Sequence, residues 1–430
     1  MQFKVIKDKL FSTGFFHVFF STVFNKGITF IAGIVLVRIL SKEQYGVYSY
    51  AYNIYSTIML FTGMGMVSAI LQVCSESENK KKGKELYNYG CRFSLLFNIT
   101  LSLTMLVIAL VFPMPISGTK VLLVSMAALP LIQLLPSLQL TYLRTELRNK
   151  EYSKATNLQT IMIASLTIVL CLLINEYGRI VALYISAIIT FIFLKTVYHV
   201  NIDFKRSNVS FDDKKDMIKI GIISMLNTGL SELMYLIDIY VLGYSLHDEK
   251  LVAVYKVSTI IPTALAFIPL AVVVYAYPYF ARNRMNKKWL IKASTYSYIG
   301  LGILNSCIGI FLYIFARPIL AHVYGSDYLD ATGCFKILAV NYAVSSTFRI
   351  FSGNILVSQR KLFFNFIVAL ISSLLNIVLN ILLINIHGIE GAAIATLFTS
   401  VLSGLANTIY LFYSFKRLDN AIGTKMENIK

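Results

Sequence analysis

Long apolar runs and short polar breaks alternate twelve times along the chain. The apolar stretches lie near residues 11–38, 46–73, 91–112, 121–143, 157–175, 179–199, 218–244, 252–280, 293–315, 333–357, 363–385 and 390–415. Each approaches or exceeds the roughly 20 residues a helix needs to cross a hydrocarbon layer. None shows the ten-residue alternation of a transmembrane barrel strand. The pattern predicts an all-α integral membrane protein with about twelve transmembrane helices. Pro130 and Pro136 fall inside the fourth stretch, and Pro262, Pro269 and Pro278 inside the eighth. In water they would argue for breaks; in a membrane, neighbouring helices can satisfy the carbonyls a proline frees.

Composition points the same way. Hydrophobic residues make up 57% of the chain and charged residues 14%, against about 25% charged in a soluble domain. Too few charges remain to coat a water-facing surface. The five cysteines (Cys74, Cys91, Cys171, Cys307 and Cys334) form no CxxC pair and read as small packing residues, with no metal site and no disulfide framework. The first stretch follows Lys4, Lys7 and Lys9 but is too long for a signal peptide's apolar region. It carries Lys26 at its middle and lacks a small-x-small cleavage site, so it reads as an uncleaved anchor.

The formal net charge of +18 invites a nucleic-acid reading. Its distribution says otherwise. With the N-terminus in the cytoplasm, the inside segments (residues 4–9, 80–84, 144–154, 205–219, 282–292, 360–361 and 416–430) hold 27 of the 39 basic residues. The opposite loops hold five: Lys42, Lys120, Arg179, Lys250 and Arg317. Every second loop is basic, as the positive-inside rule requires, so the charge orients the protein and no nucleic-acid partner is expected.

The two halves of the chain resemble each other. Leu172-Leu173-Ile174-Asn175-x-x-Gly178 recurs 210 residues later as Leu382-Leu383-Ile384-Asn385-x-x-Gly388, and Ala182 and Ala392 follow at matching positions. Six spans per half is an even number, so both halves enter the membrane in the same direction. The expected organisation is a six-helix lobe over residues 1–200, a cytoplasmic linker at 201–216, a second six-helix lobe over 217–415 and a cytoplasmic tail at 416–430. Two parallel repeats of this kind are the architecture of a rocking transporter.

The loops exclude other classes. The longest external segment, residues 316–332, offers only His322, Asp327 and Asp330 as titratable candidates, too sparse for a catalytic set. The cytoplasmic loops carry no Walker loop, HExxH or GxSxG. The chain reads as no enzyme, with no catalytic residues and no cofactor.

Polar residues inside the spans are the candidate site, because charge at the bilayer centre must face a cavity or a partner. Lys26 lies about fifteen residues, roughly 22 Å, into the first span. It either lines a cavity or is half of a buried ion pair. Arg349 lies about eight residues from the cytoplasmic end of the tenth span and is either central or partly snorkelling. Lys256 and Arg38 sit nearer the external ends, where snorkelling is the alternative to a cavity role. Glu232 and Asp238 in the seventh span could neutralise Lys26 or Arg349, or act together in cation coupling. Asn25, Asn227, Asn341, Asn376, Asn380 and Asn407 add amides, with Asn376 and Asn380 on one helix face. Intramembrane asparagine also serves as interhelical glue. A basic, amide-rich interior suits an anionic, hydroxyl-rich substrate such as a sugar diphosphate.

Three segments carry a family resemblance. Asn25-Lys26-Gly27, running on to Arg38-Ile39-Leu40-Ser41-Lys42-Glu43-Gln44-Tyr45-Gly46, resembles the opening of polysaccharide flippases. The seventh span around Asp238, followed by Val254-Tyr255-Lys256, is similar to the start of their second half. Asn376-x-x-x-Asn380-x-x-Leu383-Ile384, followed by Gly388-Ile389-Glu390-Gly391-Ala392-Ala393-Ile394-Ala395-Thr396, is similar to the junction of their last two spans. These flippases belong to the multidrug/oligosaccharidyl-lipid/polysaccharide exporter superfamily, and the nearest group handles O-antigen and capsule repeat units.

The resemblance implies two lobes around a V-shaped, basic cavity. It implies a bacterial cytoplasmic (inner) membrane location with both termini cytoplasmic. The implied substrate is undecaprenyl-diphosphate-linked oligosaccharide, moved to the external leaflet by alternating access for surface polysaccharide synthesis. A polysaccharide polymerase and a chain-length regulator are the implied protein partners. Cationic cavity residues carry over to Lys26 and Arg349. The chain has fewer mid-membrane arginines than lipid II flippases show, which argues against a peptidoglycan precursor. The rival readings are a cation-coupled drug antiporter of the same superfamily and a polytopic glycan-assembly enzyme, the latter disfavoured by the short loops.

Overall fold

The computed structural model describes residues 15–77, 79–203 and 209–418. Lys4, Lys7, Lys9, Lys205, Arg206, Lys425 and Lys430 lie outside the described residues, as does the side chain of Asn227.

Nine helices among the described residues are long and apolar enough to cross a membrane. They are α1 (Phe15–Ile39), α2 (Lys42–Glu76), α3 (Lys80–Val111), α4 (Thr119–Thr145), α5 (Asn149–Ile174), α6 (Glu176–Thr196), α8 (Glu249–Tyr277), α9 (Lys287–Ile314) and a final helix spanning Leu362–Lys416. Helix α7 (Phe211–Leu246) and α10 (residues 332–358) complete the series. The last helix is folded in two. At Gly388 the backbone turns to φ 56°, ψ −135°. A Cβ on Gly391 would overlap the carbonyl of Leu383, eight residues earlier. In a straight helix those residues would stand about 12 Å apart, so the chain reverses, and α11 (362–387) and α12 (389–416) are separate spans. Among the described residues, each of the twelve predicted stretches is mostly helical. The segment after α9 forms a short helix, Ala316–Val323, and a 3₁₀ turn, Ser326–Ala331.

The helices gather into two compact units, Met1–Glu232 and Leu233–Lys430. In the first, α1 packs on α5, α5 on α6, and α4 on α6. Its inner core joins Met66, Ile70, Tyr87, Cys91, Leu138 and Met217. In the second, α10 packs against α8, α9 and the final helix pair. Phe280, Leu290, Leu301, Phe351 and Phe415 form its core. Large apolar side chains point outward, among them Leu110 (68% exposed), Leu173 (72%) and Ile386 (71%). Asn98, Gln139, Asn305 and Asn380 are fully buried. That inversion is what lipid as solvent demands.

The buried amides repair interrupted backbone. Helix α2 breaks where Gly63, Met64 and Gly65 take φ of 54°, 50° and 72°. Asn98 on α3 accepts from Gly63 N at 2.6 Å and donates to Pro130 O on α4 at 2.6 Å. One side chain thus ties the break in α2 to α4. Lys82 and Asp213 pair at 3.0 Å, tying the start of α7 to α3. The Ser210 hydroxyl and Lys82 hold the Asp213 carboxyl below the usual carboxylate range.

The internal repeat is present, but its register differs from the sequence match. Asn175 (φ 52°, ψ −137°) adopts the same rare conformation as Gly388. A Cβ on Gly178 would overlap Leu170, eight residues back, as one on Gly391 would overlap Leu383. The turn residues Asn175 and Gly388, and the close-approach glycines Gly178 and Gly391, are 213 positions apart. Matching Leu-Leu-Ile-Asn to itself aligns the letters at 210 and misplaces the turn by three residues, close to one helical turn.

Candidate functional site

The second unit contains a buried carboxylate ringed by neutral donors. Asp238 lies two turns before the end of α7 and is 4% exposed. Tyr255 on α8 and Thr396 on α12 each donate a hydroxyl to Oδ2 at 2.6 Å. Asn380 on α11 donates Nδ2 to Oδ1 at 2.8 Å. The four-residue spacing of Asn376 and Asn380 lets the Asn380 amide also reach the Asn376 carbonyl at 2.9 Å and Oδ1 at 3.0 Å. Asn376 in turn donates to Thr399 at 3.5 Å. Both asparagines therefore link helices, as intramembrane amides commonly do. Four helices converge on one acid. No base is among its hydrogen-bond partners, whereas the sequence left Lys26 or Arg349 open as its counter-ion. Asn380 Oδ1 is buried without a hydrogen-bond partner among the described residues.

The other candidates are dispersed. Asn25 is half-buried on the face of α1 that meets α5, donating to Ser21 at 3.4 Å, while Ser21 bonds Asn157 on α5. Lys26, one step round the helix, is exposed, as are Arg38 and Glu232. Among the described residues no ion pair joins Lys26 to Glu232. Lys256 is half-buried beside the fully buried Tyr255. Arg349 is half-buried and closes the five-residue π-helical turn Ser345–Arg349 inside α10. Such turns widen a helix locally and recur at functional positions. No group of three or more His, Cys, Asp or Glu side chains among the described residues could hold a metal ion. Sequence reasoning singled out Asp238 and the two asparagines but gave Tyr255 and Thr396 no role. Their available signal was position: Thr396 lies eight residues past the turn at Gly388, and Tyr255 seven past the capping Asp248.

Solved structures share this fold. An inward-facing multidrug resistance MATE family transporter of the MOP superfamily aligns with a TM-score of 0.73 at 15% identity, covering 92% of this chain and 96% of that one. The lipid II flippase MurJ in an inward closed conformation also aligns at 0.73, with 16% identity, covering 93% and 89%. An outward-facing MATE family transporter aligns at 0.65, with 15% identity, covering 95% and 96%. Among curated proteins none matches in sequence. The sequence model for polysaccharide biosynthesis proteins matches residues 35–333, well over half the chain. This multi-pass membrane protein, with the fold of the MOP-superfamily transporters, belongs to the polysaccharide biosynthesis protein family.

Proposed function

We propose that the protein is a flippase for undecaprenyl-diphosphate-linked oligosaccharide repeat units, working by alternating access. It carries them from the cytoplasmic to the external leaflet of the bacterial inner membrane for O-antigen or capsule synthesis. Residues 1–200 and 217–415 act as the moving lobes, joined through the linker at 201–216, with both termini cytoplasmic. A polymerase and a chain-length regulator take the product onward. The observation that carries this reading is the polysaccharide biosynthesis match over residues 35–333 on a transporter fold. The physical task is desolvation: a sugar and two phosphates lose several kcal/mol per unpaired polar group in hydrocarbon, on the order of 2–7 for each. Exposed Lys26 and half-buried Arg349 supply positive charge to the diphosphate, with Asn25, Lys256 and Arg38 contributing around it. The polyprenyl tail stays in lipid throughout.

Asp238 serves coupling. A carboxylate held only by neutral donors carries an uncompensated negative charge, which inside a membrane calls for a proton or a metal cation. Turning the Asn380 amide would offer Oδ1 to that cation beside the Asp238, Tyr255 and Thr396 oxygens. The cation enters from one leaflet, leaves at the other and biases the transport cycle; Glu232 is exposed at the same helix and is its approach residue.

Deletion tests the whole reading. Lipid-linked oligosaccharide should accumulate on the cytoplasmic leaflet and surface polymer should vanish. Fully flipped but unpolymerised repeat units in the deletion strain would point to a polymerase instead.

A further inference from the structure

The first repeat has residues at the positions that build the Asp238 site in the second. Helices α2 and α8 both begin at side-chain caps, Ser41 and Asp248. Seven residues after each cap stands a buried tyrosine, Tyr48 and Tyr255. The turn residues Asn175 and Gly388 give a second, independent register. Eight residues before them stand Thr167 and Asn380; four after them stand Arg179 and Ala392; eight after them stand Leu183 and Thr396. In the second repeat Tyr255, Asn380 and Thr396 surround the Asp238 carboxylate, and Ala392 is fully buried and small. In the first, α1 contains no acid. The Arg179 guanidinium takes the centre instead: Nη1 donates to Thr167 Oγ1 at 2.7 Å, and the Tyr48 phenol lies beside the guanidinium. The ring of Tyr48 stacks on that of Tyr52 at 5.5 Å beside it.

We infer that Arg179 is a tethered cation occupying, in the first repeat, the place an exchangeable cation takes beside Asp238 in the second. One coupling cation then moves per cycle, where two intact sites would move two. The count rests on the coupling reading of Asp238; the filled site rests on the geometry around Arg179 alone. The chemistry is complementary. The second repeat presents an acid and a small alanine, leaving a cation to be recruited. The first presents two hydroxyl oxygens and no acid on α1, a site that suits a planar donor already attached to the chain. Glu176, one turn back on α6, makes no ion pair with Arg179 among the described residues. Arg179 Nε and Glu176 Oε2 are both buried without a hydrogen-bond partner there. The first site is therefore permanently cationic at its centre, while the second changes charge with its occupant.

Removing the tether should leave a vacancy shaped for the lost group. In the full-length detergent-solubilised protein, Arg179→Ala should unfold at a lower temperature than wild type. Low-millimolar guanidinium chloride should raise it again, selectively over sodium chloride at equal ionic strength, because a ligand that binds only the folded state stabilises it. The wild type should show no such guanidinium gain. An equal response of Arg179→Ala to the two salts overturns the inference. If that variant does not fold, transport in cells decides: Arg179→Lys should keep most of the flux and Arg179→Met, similar in length but uncharged, should lose most of it. Normal flux in Arg179→Met would likewise overturn it. Asp238→Asn separates the two readings. It should abolish the sodium-dependent rise in unfolding temperature of the wild type while leaving the guanidinium gain of Arg179→Ala intact. A sodium rise that survives Asp238→Asn removes the coupling reading, and with it the count of one cation, but not the filled site.

Discussion

An acid inside a membrane must be neutralised by something, and among the described residues Asp238 accepts from three neutral donors. Asp238→Asn keeps the shape and can still accept from Tyr255 and Thr396, so membrane abundance should stay near wild type. Cation-driven transport should fall to a small residue in everted vesicles; undiminished flux would remove Asp238 from the coupling step. Lys26 needs a different experiment. A lysine at bilayer depth costs about 2.5–3.5 kcal/mol on insertion scales, and no Glu232 carboxylate compensates it here. Lys26→Arg should therefore retain much of the transport and Lys26→Gln lose most of it at unchanged abundance. Adding Glu232→Gln to Lys26→Gln should restore nothing; full restoration would make the lysine half of a structural pair. The residues with this chemistry were legible in the sequence because charge and amide are rare in apolar runs. Their partners were not. A hydroxyl such as Thr396 looks the same in a helix whether it bonds its own backbone or an acid 158 positions away, and only packing decides between them.

At the scale of the element, spans could be read and turns could not. Length and hydropathy locate a membrane helix to within a few residues, which is why the twelve stretches match the helices. The turn between paired spans is set by one backbone conformation, and the letters mislead about where it falls. Asn385 repeats Asn175 by identity, yet Gly388 repeats it by shape. This has a consequence for stability. At φ 52°, ψ −137°, Asn175 occupies a region suited to glycine, at a cost of order 1–3 kcal/mol. Asn175→Gly should raise the unfolding temperature, and Gly388→Ala should lower it by introducing the same strain. An unchanged or lower temperature for Asn175→Gly would contradict the assignment. The kink bridge is a further test. Asn98→Leu removes the partner of Gly63 N and the tie to Pro130 O together, and an orphaned buried N–H costs about 1–3 kcal/mol. The variant should reach the membrane at clearly reduced abundance, whereas the smaller amide-to-hydroxyl change Asn98→Ser should lose less.

For the whole molecule, orientation is written in charge rather than in packing. Apolar helices insert equally well in either direction, and the bias comes from lysine and arginine, which are retained on the cytoplasmic side. The segments expected inside hold 27 basic residues and the loops expected outside five, and the asymmetry repeats at every predicted crossing, so no single loop decides it. The segment near residue 210 is the informative one, because it lies between the sixth and seventh spans. If each half contains six spans, this segment returns to the side where the chain began, and the halves run parallel. If one of the first six stretches failed to cross, the segment would lie outside together with Lys214, Lys215 and Lys219, against the charge rule. Reporter fusions after residues 80, 150, 210, 285 and 360 should all therefore read cytoplasmic. An external reading at 210 would overturn the parallel repeat and the two six-helix lobes on which alternating access depends. An external reading confined to 80 would mean that one of the first two stretches and one of the next two fail to cross, leaving the halves parallel. The outcome at 210 thus tests the orientation of the halves separately from the chemistry at Asp238 and Lys26, which the point variants address.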